Sequence, residues 1–442
     1  MDNKNQDFAL SAVPESKRQH WIVPATIFAG LEFAVPVIMV GATLAGSFSL
    51  MEIVFILFIG LVVIQWIGNS LQGYIGAKTG RPASVIARTS FGALQARFIV
   101  GLALVVLNVG WFGLNTAVAG NALSAAFGID YTENWMMWAF LTLISGLLFA
   151  LPAVIGYNSM KWTDYIAVPG GIFLISAAVF YALQGSGGWS TLLSWNPEPS
   201  MTMLAAINII LGANVAQWLI ASDYTRYSKP KIKDQALIPL GIVVIGLLFF
   251  MTGAIMSVGI GNADIVMVMQ DLGFPIWGFL ILYVALWTSQ IVASYSIGLA
   301  ASNMFNINSS KGRATLTIIG SLLGVILALG GILTYFQEFL VLLGVIYPPI
   351  AAVMFIDFFF IRRQKWVDNP GWNWVATIAM LIGAFTGYLT EYVVPFGIPA
   401  IQSLVISGVV YYVLMKVKAT VKPDHFTDTV DEVEAEEMTA TK

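Results

Sequence analysis

The chain has 442 residues, of which 58% are hydrophobic and only 10% charged, with a formal net charge of −3. That much apolar surface exceeds what a soluble core buries and points to an integral membrane protein, and the near-neutral balance offers nucleic acid no basic surface. There is no cysteine, and the two histidines, His20 and His425, lie outside the apolar runs; disulfides, thiolate metal sites, cysteine nucleophiles and a Ser–His pair within the membrane are therefore excluded.

Residues 1–20 are polar and carry no apolar signal core, so a cytoplasmic N-terminal segment without a cleaved leader is expected. Apolar runs long enough to cross about 30 Å of hydrocarbon as helices, about 20 residues each, then recur along the chain. They fall near 21–46, 51–75, 98–127, 135–156, 165–184, 203–223, 236–260, 275–302, 314–333, 336–361, 374–391 and 398–415. Long apolar runs, not weak alternation, predict an all-α protein of twelve transmembrane helices. With both termini inside, all 21 Lys and Arg fall on the cytoplasmic side and the outer loops have none. The chain thus divides into a first half over 21–184, an extracellular loop at 185–202, a second half over 203–361, two further spans within 374–415, and a cytoplasmic tail at 416–442. The tail contains the acidic run DTVDEVEAEE, read as a solvated end.

The first span carries a single charge, Glu32, in the stretch GLEFAVP between Gly30 and Pro36. A carboxylate at that depth must face a polar cavity, pair or take up a proton. The sixth span is interrupted similarly by Gly212, Asn214 and Gln217. Aligning FAGLEFA (28–34) with ILGANVA (210–216) pairs Gly30 with Gly212, Glu32 with Asn214 and Ala34 with Ala216. The matched breaks lie five spans apart and so run in opposite directions, as an inverted repeat requires, and such breaks mark a transporter's midplane site. Glu32, Asn214 and Gln217 are therefore candidate substrate contacts. For Glu32, structural support of the unwound backbone and proton coupling compete with that role.

In the third span Asn108, Trp111 and Asn115 share one helical face, and in the eighth Trp287, Gln290 and Ser294 do the same. An indole beside amides or a hydroxyl suits a flat heteroaromatic ring, stacked on its face and hydrogen-bonded at its edge. Thr288 and Ser289 offer hydroxyl oxygens for a small hard cation, although adjacent Thr and Ser usually bond back to their own helix. The Gln65, Asn69, Gln72 stripe of the second span is assigned to interhelical hydrogen bonding, and Asp223 with Arg226 to a surface ion pair.

At GYIGAKTGRPASVIARTSFG (73–92), VGWFGLNTA in the third span, SDYTRYSK ending the sixth and ALWTSQ in the eighth, the chain resembles the nucleobase:cation symporter-1 family over essentially its whole length. The resemblance implies a five-plus-five inverted repeat of the leucine-transporter type followed by two C-terminal helices. It implies a stacking role for Trp111, base contacts from Asn108 and Asn115, a substrate contact from Gln290 at the family's asparagine position, and Ser294 one turn later. It also implies a sodium site at the carbonyls of Gly30, Ala34 and Ala285 and the hydroxyls of Thr288 and Ser289. Two positions depart from the family: Asn214 stands where a second stacking aromatic is common, leaving one face of the ring open or covered by Trp218, and Glu32 replaces an uncharged residue of cytosine permeases.

The function expected is a plasma- or inner-membrane symporter that imports a nucleobase such as cytosine or a purine with Na+ or H+, and no other cofactor. Import of allantoin, a hydantoin or a thiamine-related pyrimidine is the alternative; a channel or a non-transporting sensor ranks lower. The absence of a GxxxxGK[ST] loop, and of histidine or cysteine in the membrane, argues against a pump or an enzyme. Substrate, coupling ion and oligomeric state stay open.

Overall fold

In a computed structural model the chain is all-helical, and the structure describes residue 8 and residues 10–32, 34–155, 170, 172–184, 188–258 and 264–421, the side chain of Thr288 excepted. Among the described residues ten helices are long and apolar enough to cross a membrane: Leu50–Thr79, Ala93–Ala126, Trp135–Ile155, Met203–Thr225, Ile232–Ser257, Ile276–Phe305, Ser310–Leu329, Ile332–Ile361, Trp374–Val393 and Pro399–Val421. The pair Ile22–Glu32 and Val35–Ala45, bent by 57°, forms an eleventh candidate. At the predicted fifth span only the shorter helix Ile172–Gln184 is described, so length alone supports eleven crossings where twelve are expected. Residues 165–169 of that span, Lys161, Phe33 and the acidic run of the tail lie outside the described residues. The helices are numbered below in chain order, the bent pair first and Ile172–Gln184 fifth.

Local chemistry sets the ends of these helices. Ser49 and Glu52 form a reciprocal capping box on the second span, Thr202 caps the sixth and Ser309 the ninth. Gly80 ends the second in the left-handed region at φ 67°. In the first span Ala34 is extended, and Pro36 sits in the first turn of the helix that restarts there, where its missing N–H costs nothing.

Two seams without Cβ atoms hold the spans that carry the breaks. Between the first and seventh spans, a Cβ on Gly41 would collide with the Phe250 backbone, on Gly253 with that of Ile38, and on Gly241 with that of Ala25. Between the second and sixth, Gly68 leaves room for the Trp218 indole and Gly76 for the Ser222 backbone. Such close approach is how helices pack where lipid supplies no hydrophobic drive. The third, fourth, eighth and ninth spans all touch one another, and the eleventh and twelfth pack together on the tenth. Phe55, Phe58, Leu322 and Phe385 stay exposed on the outer face.

Two readings from the sequence are corrected here. Asp223 and Arg226 are buried, at 4% and 0% exposure, and are no surface pair. Asp223 Oδ1 accepts the Ala83 N–H at 2.7 Å, while Arg226 donates to the carbonyls of Asp223 and Phe8. The local spacing of the two residues carried no sign of the loop and N-terminal segment that fold over them. Trp218 is likewise committed to the seam at Gly68 and does not line the central cavity.

The N-terminal segment is stitched to the same helix ends. Val13 N–H donates to Gly80 O at 2.9 Å, Arg18 to Ala77 O at 2.7 Å, and Gln19 forms a bridge with Ser228. On the opposite side, Tyr131 donates to Asp264 Oδ2 at 3.4 Å, and Asp264 caps Ile265–Asp271. Burial raises the Asp264 pKa against the lowering pull of its cap.

Two outcomes test this account. Gly253→Ala lowers stability by about 1–3 kcal/mol, since the new methyl meets backbone that cannot rotate away; an unchanged melting temperature in detergent would refute the seam. Because a raised acid pKa contributes stability at low pH that is lost as pH rises through the folded value, Asp264→Asn, which keeps a capping side chain, should flatten the decline in melting temperature toward neutral pH.

Candidate functional site

Where the two interrupted spans meet the third and eighth, a cavity of about 60 Å³ is lined by Glu32, Asn108, Trp111, Asn115, Asn214, Gln217 and Ser289, with Leu31, Ala34, Ile220 and Ala293 among its apolar walls. The breaks that form it differ. The first span opens fully, with Ala34 at φ −121° and ψ 127°, whereas Val215 and Ala216 stay right-handed and the sixth span only tightens by one turn. Trp218 N–H reaches Val215 O at 3.0 Å, so the Asn214 carbonyl loses its helical donor, and Gln65 Nε2 of the second span takes it at 2.8 Å.

Three asparagines repeat one geometry. Asn108, Asn115 and Asn214 each donate a side-chain N–H to the carbonyl four residues back, at 2.7, 3.1 and 3.3 Å. Back-bonding fixes which end of each amide is nitrogen and leaves the oxygen to face elsewhere. Gln217 Nε2 donates to Glu32 Oε1 at 3.3 Å and also approaches Asn214 Oδ1, joining the two aligned break residues through a third. Asn115 Oδ1, Gln217 Oε1 and Glu32 Oε2 are buried without a partner among the described residues, and all are acceptors when the carboxyl is ionised. Trp111 stands edge-on to Phe339 of the tenth span, ring centroids 5.7 Å apart, with Gly110 leaving the space.

The eighth-span residues singled out in the sequence divide. Ser289 reaches the cavity, its hydroxyl bonded back to Leu286 O at 3.0 Å. Gln290 does not: its amide donates to Phe112 O at 3.0 Å and Thr116 Oγ1 at 2.6 Å, inside the contact with the third span. Ser294 bonds to Gln290 O and accepts from Ser321 of the ninth span, and Trp287 stacks on Phe149. The wall facing the cavity is Ser289 and Ala293, one residue out of phase with Trp287, Gln290 and Ser294. The pattern missed it because Ala293 bears no polar mark. For the cation oxygens, Ala34 and Ser289 share the cavity, and Gly30 and Ala285 are buried in the packed first and eighth spans. Toward the end of the sixth span, Tyr224 OH and Ser296 Oγ, 2.7 Å apart, tie it to the eighth.

Comparison with known proteins gives one direction. Residues 12–410 match the family model described as permease for cytosine/purines, uracil, thiamine and allantoin. The chain is 27% identical over 418 residues to the cytosine permease of Escherichia coli strain K12, covering 93% of this chain and 95% of that one. It is 25% identical to the allantoin permease of Bacillus subtilis strain 168, covering 79% and 80%. The fold matches that of MHP1, a nucleobase-cation-symport-1 family transporter in a closed conformation with bromovinylhydantoin bound, at TM-score 0.81 and 18% identity over 95% of this chain and 96% of that one. It also matches a Na+-coupled sialic acid symporter at TM-score 0.66 and 16% identity, over 95% and 92%.

The Glu32–Gln217 contact has a direct test. Gln217→Leu strands a buried carboxyl and lowers stability by about 1–3 kcal/mol, and adding Glu32→Met restores most of the loss, because removing both partners leaves no stranded group. Additive losses in thermal unfolding would show that the two do not interact.

Proposed function

The chain belongs to the family of permeases for cytosine, purines, uracil, thiamine and allantoin, and from that premise we propose that it is a secondary active symporter importing an amino-substituted nucleobase, cytosine or an aminopurine, coupled to Na+ or H+. The observation that carries this reading is the cavity's supply of unpartnered oxygens beside an indole: Asn115 Oδ1, Gln217 Oε1 and Glu32 Oε2 around Trp111. A ring that brings N–H donors satisfies these groups, while one that turns a carbonyl toward them leaves both sides short, the arrangement binding sites discriminate against most strongly. Trp111 supplies the stacking face, with Asn108 and Asn214 at the ring edge.

Transport proceeds by alternating access between the two halves, 21–184 and 203–361, read as a five-plus-five inverted repeat. The pairing of contacts supports it: exchanging the first span with the sixth and the second with the seventh converts one glycine seam into the other, and the group formed by the third, fourth, eighth and ninth maps onto itself. A cation held by the carbonyls of Gly30, Ala34 and Ala285 and the hydroxyls of Thr288 and Ser289 favours the state open to the outside, and its release follows rocking of the broken spans. The cavity, far below the about 300–1,000 Å³ usual for ligand pockets, must widen to admit a ring. Both termini lie in the cytoplasm and the protein in the cell membrane, in line with the one-sided charges.

Competition uptake in proteoliposomes, under separate sodium and pH gradients, tests the substrate class. Cytosine and adenine should displace the label better than uracil or allantoin, and the reverse order would favour the allantoin-type reading. Trp111→Ala removes about 1–3 kcal/mol of stacking and so weakens affinity roughly tenfold to a hundredfold; wild-type affinity in a folded variant would dismiss Trp111 from the site. If the ion is sodium, Ser289→Ala should weaken substrate binding at limiting sodium more than at saturation, because the two ligands affect each other reciprocally.

A further inference from the structure

The amide row of the second span, Gln65, Asn69 and Gln72, is buried against the sixth span and takes no part in lining the cavity. Its bonds run one way. Gln65 Nε2 donates to Asn214 O at 2.8 Å and to Asn69 Oδ1 at 3.3 Å, and Gln72 Nε2 donates to Leu219 O and Ser222 Oγ, both at 3.0 Å. Gln65 Oε1, Asn69 Nδ2 and Gln72 Oε1 have no partner among the described residues. As adhesive between two helices this row is poor value, since apolar side chains would leave no such atoms stranded.

Gln65 meets the carbonyl that the tightened turn of the sixth span releases. The Asn214 carbonyl lacks its helical donor because Trp218 N–H has moved to Val215 O. A carbonyl without a donor at this depth draws the chain back into regular helix, which would rotate Asn214 and Gln217 relative to each other. We propose that Gln65 is a positioning residue for the substrate site, locking the Asn214–Gln217 turn so that both side chains face the cavity and the Gln217 amide lies against Glu32. It acts through Asn214 and touches no substrate. The inference rests on the substrate reading of the cavity given above.

A double-mutant cycle on purified protein, with labelled cytosine, adenine and allantoin as probes, decides it. Gln65→Met should weaken binding of the best probe about tenfold, and Asn214→Ala by a comparable factor. The double variant should lose clearly less than the sum of the two, because with the Asn214 side chain gone Gln65 has only Gln217 left to position. Gln72→Met removes a similar bond to the sixth span away from the turn; it should cost similar thermal stability yet leave affinity within about twofold. Additive losses in the cycle, or an equal loss of affinity in Gln72→Met, would overturn the positioning role while leaving the substrate site standing. A folded wild type that binds none of the three probes would overturn both together. Should Gln65→Met not fold, Gln65→Asn, which withdraws the amide by one methylene, gives the same cycle with the same outcomes.

Discussion

Inside a bilayer every backbone carbonyl released from a helix has to be met by another part of the protein, and the centre of this molecule is arranged around that requirement. The first and sixth spans both give up helical hydrogen bonds at mid-depth, and each solves the problem differently. In the first, the chain becomes extended at Ala34 and the restart is eased by Pro36, so the helix axis turns by 57°. In the sixth, the backbone stays right-handed and a side chain from the neighbouring helix, Gln65, substitutes for the lost donor. Two aligned interruptions therefore yield one wide break and one narrow one.

That asymmetry gives the two sides of the cavity different characters. The wall from the first span presents one carboxyl, Glu32, among the apolar Leu31, Ala34 and Val37. The wall from the sixth span is a set of amides held in fixed orientations by back-bonds and by the second span, a surface suited to reading the edge of a ring. Gln217 joins the walls, since its amide donates to Glu32 from the opposite half of the molecule.

Much of this was legible in the residues. Span positions follow from apolar run length, and the matched breaks follow from Gly30, Pro36, Gly212 and the polar residues beside them; the third-span face Asn108, Trp111, Asn115 lines the cavity at its predicted spacing. The eighth span was phased one residue out because polar side chains marked the wrong face: Gln290 and Ser294 satisfy helix contacts, and the cavity wall there includes a mute alanine. Asp223 and Arg226 looked exposed because near-neighbour spacing says nothing about a distant loop or an N-terminal strap. The support given by Gln65 was equally hidden, for the donor it replaces is lost only in three dimensions.

The strap has a mechanical corollary. Residues 13–19 are fastened to the adjoining ends of the second and sixth spans at Ala77, Gly80 and Ser228, and Arg226 reaches on to Phe8. Nothing in that set of bonds crosses to the third, fourth, eighth or ninth spans. Any excursion that parted Tyr224 from Ser296 would thus carry the strap along with the second and sixth spans. Cargo attached to the amino end would ride with the second and sixth spans, whereas the same cargo on the twelfth span would hang from helices packed on the tenth.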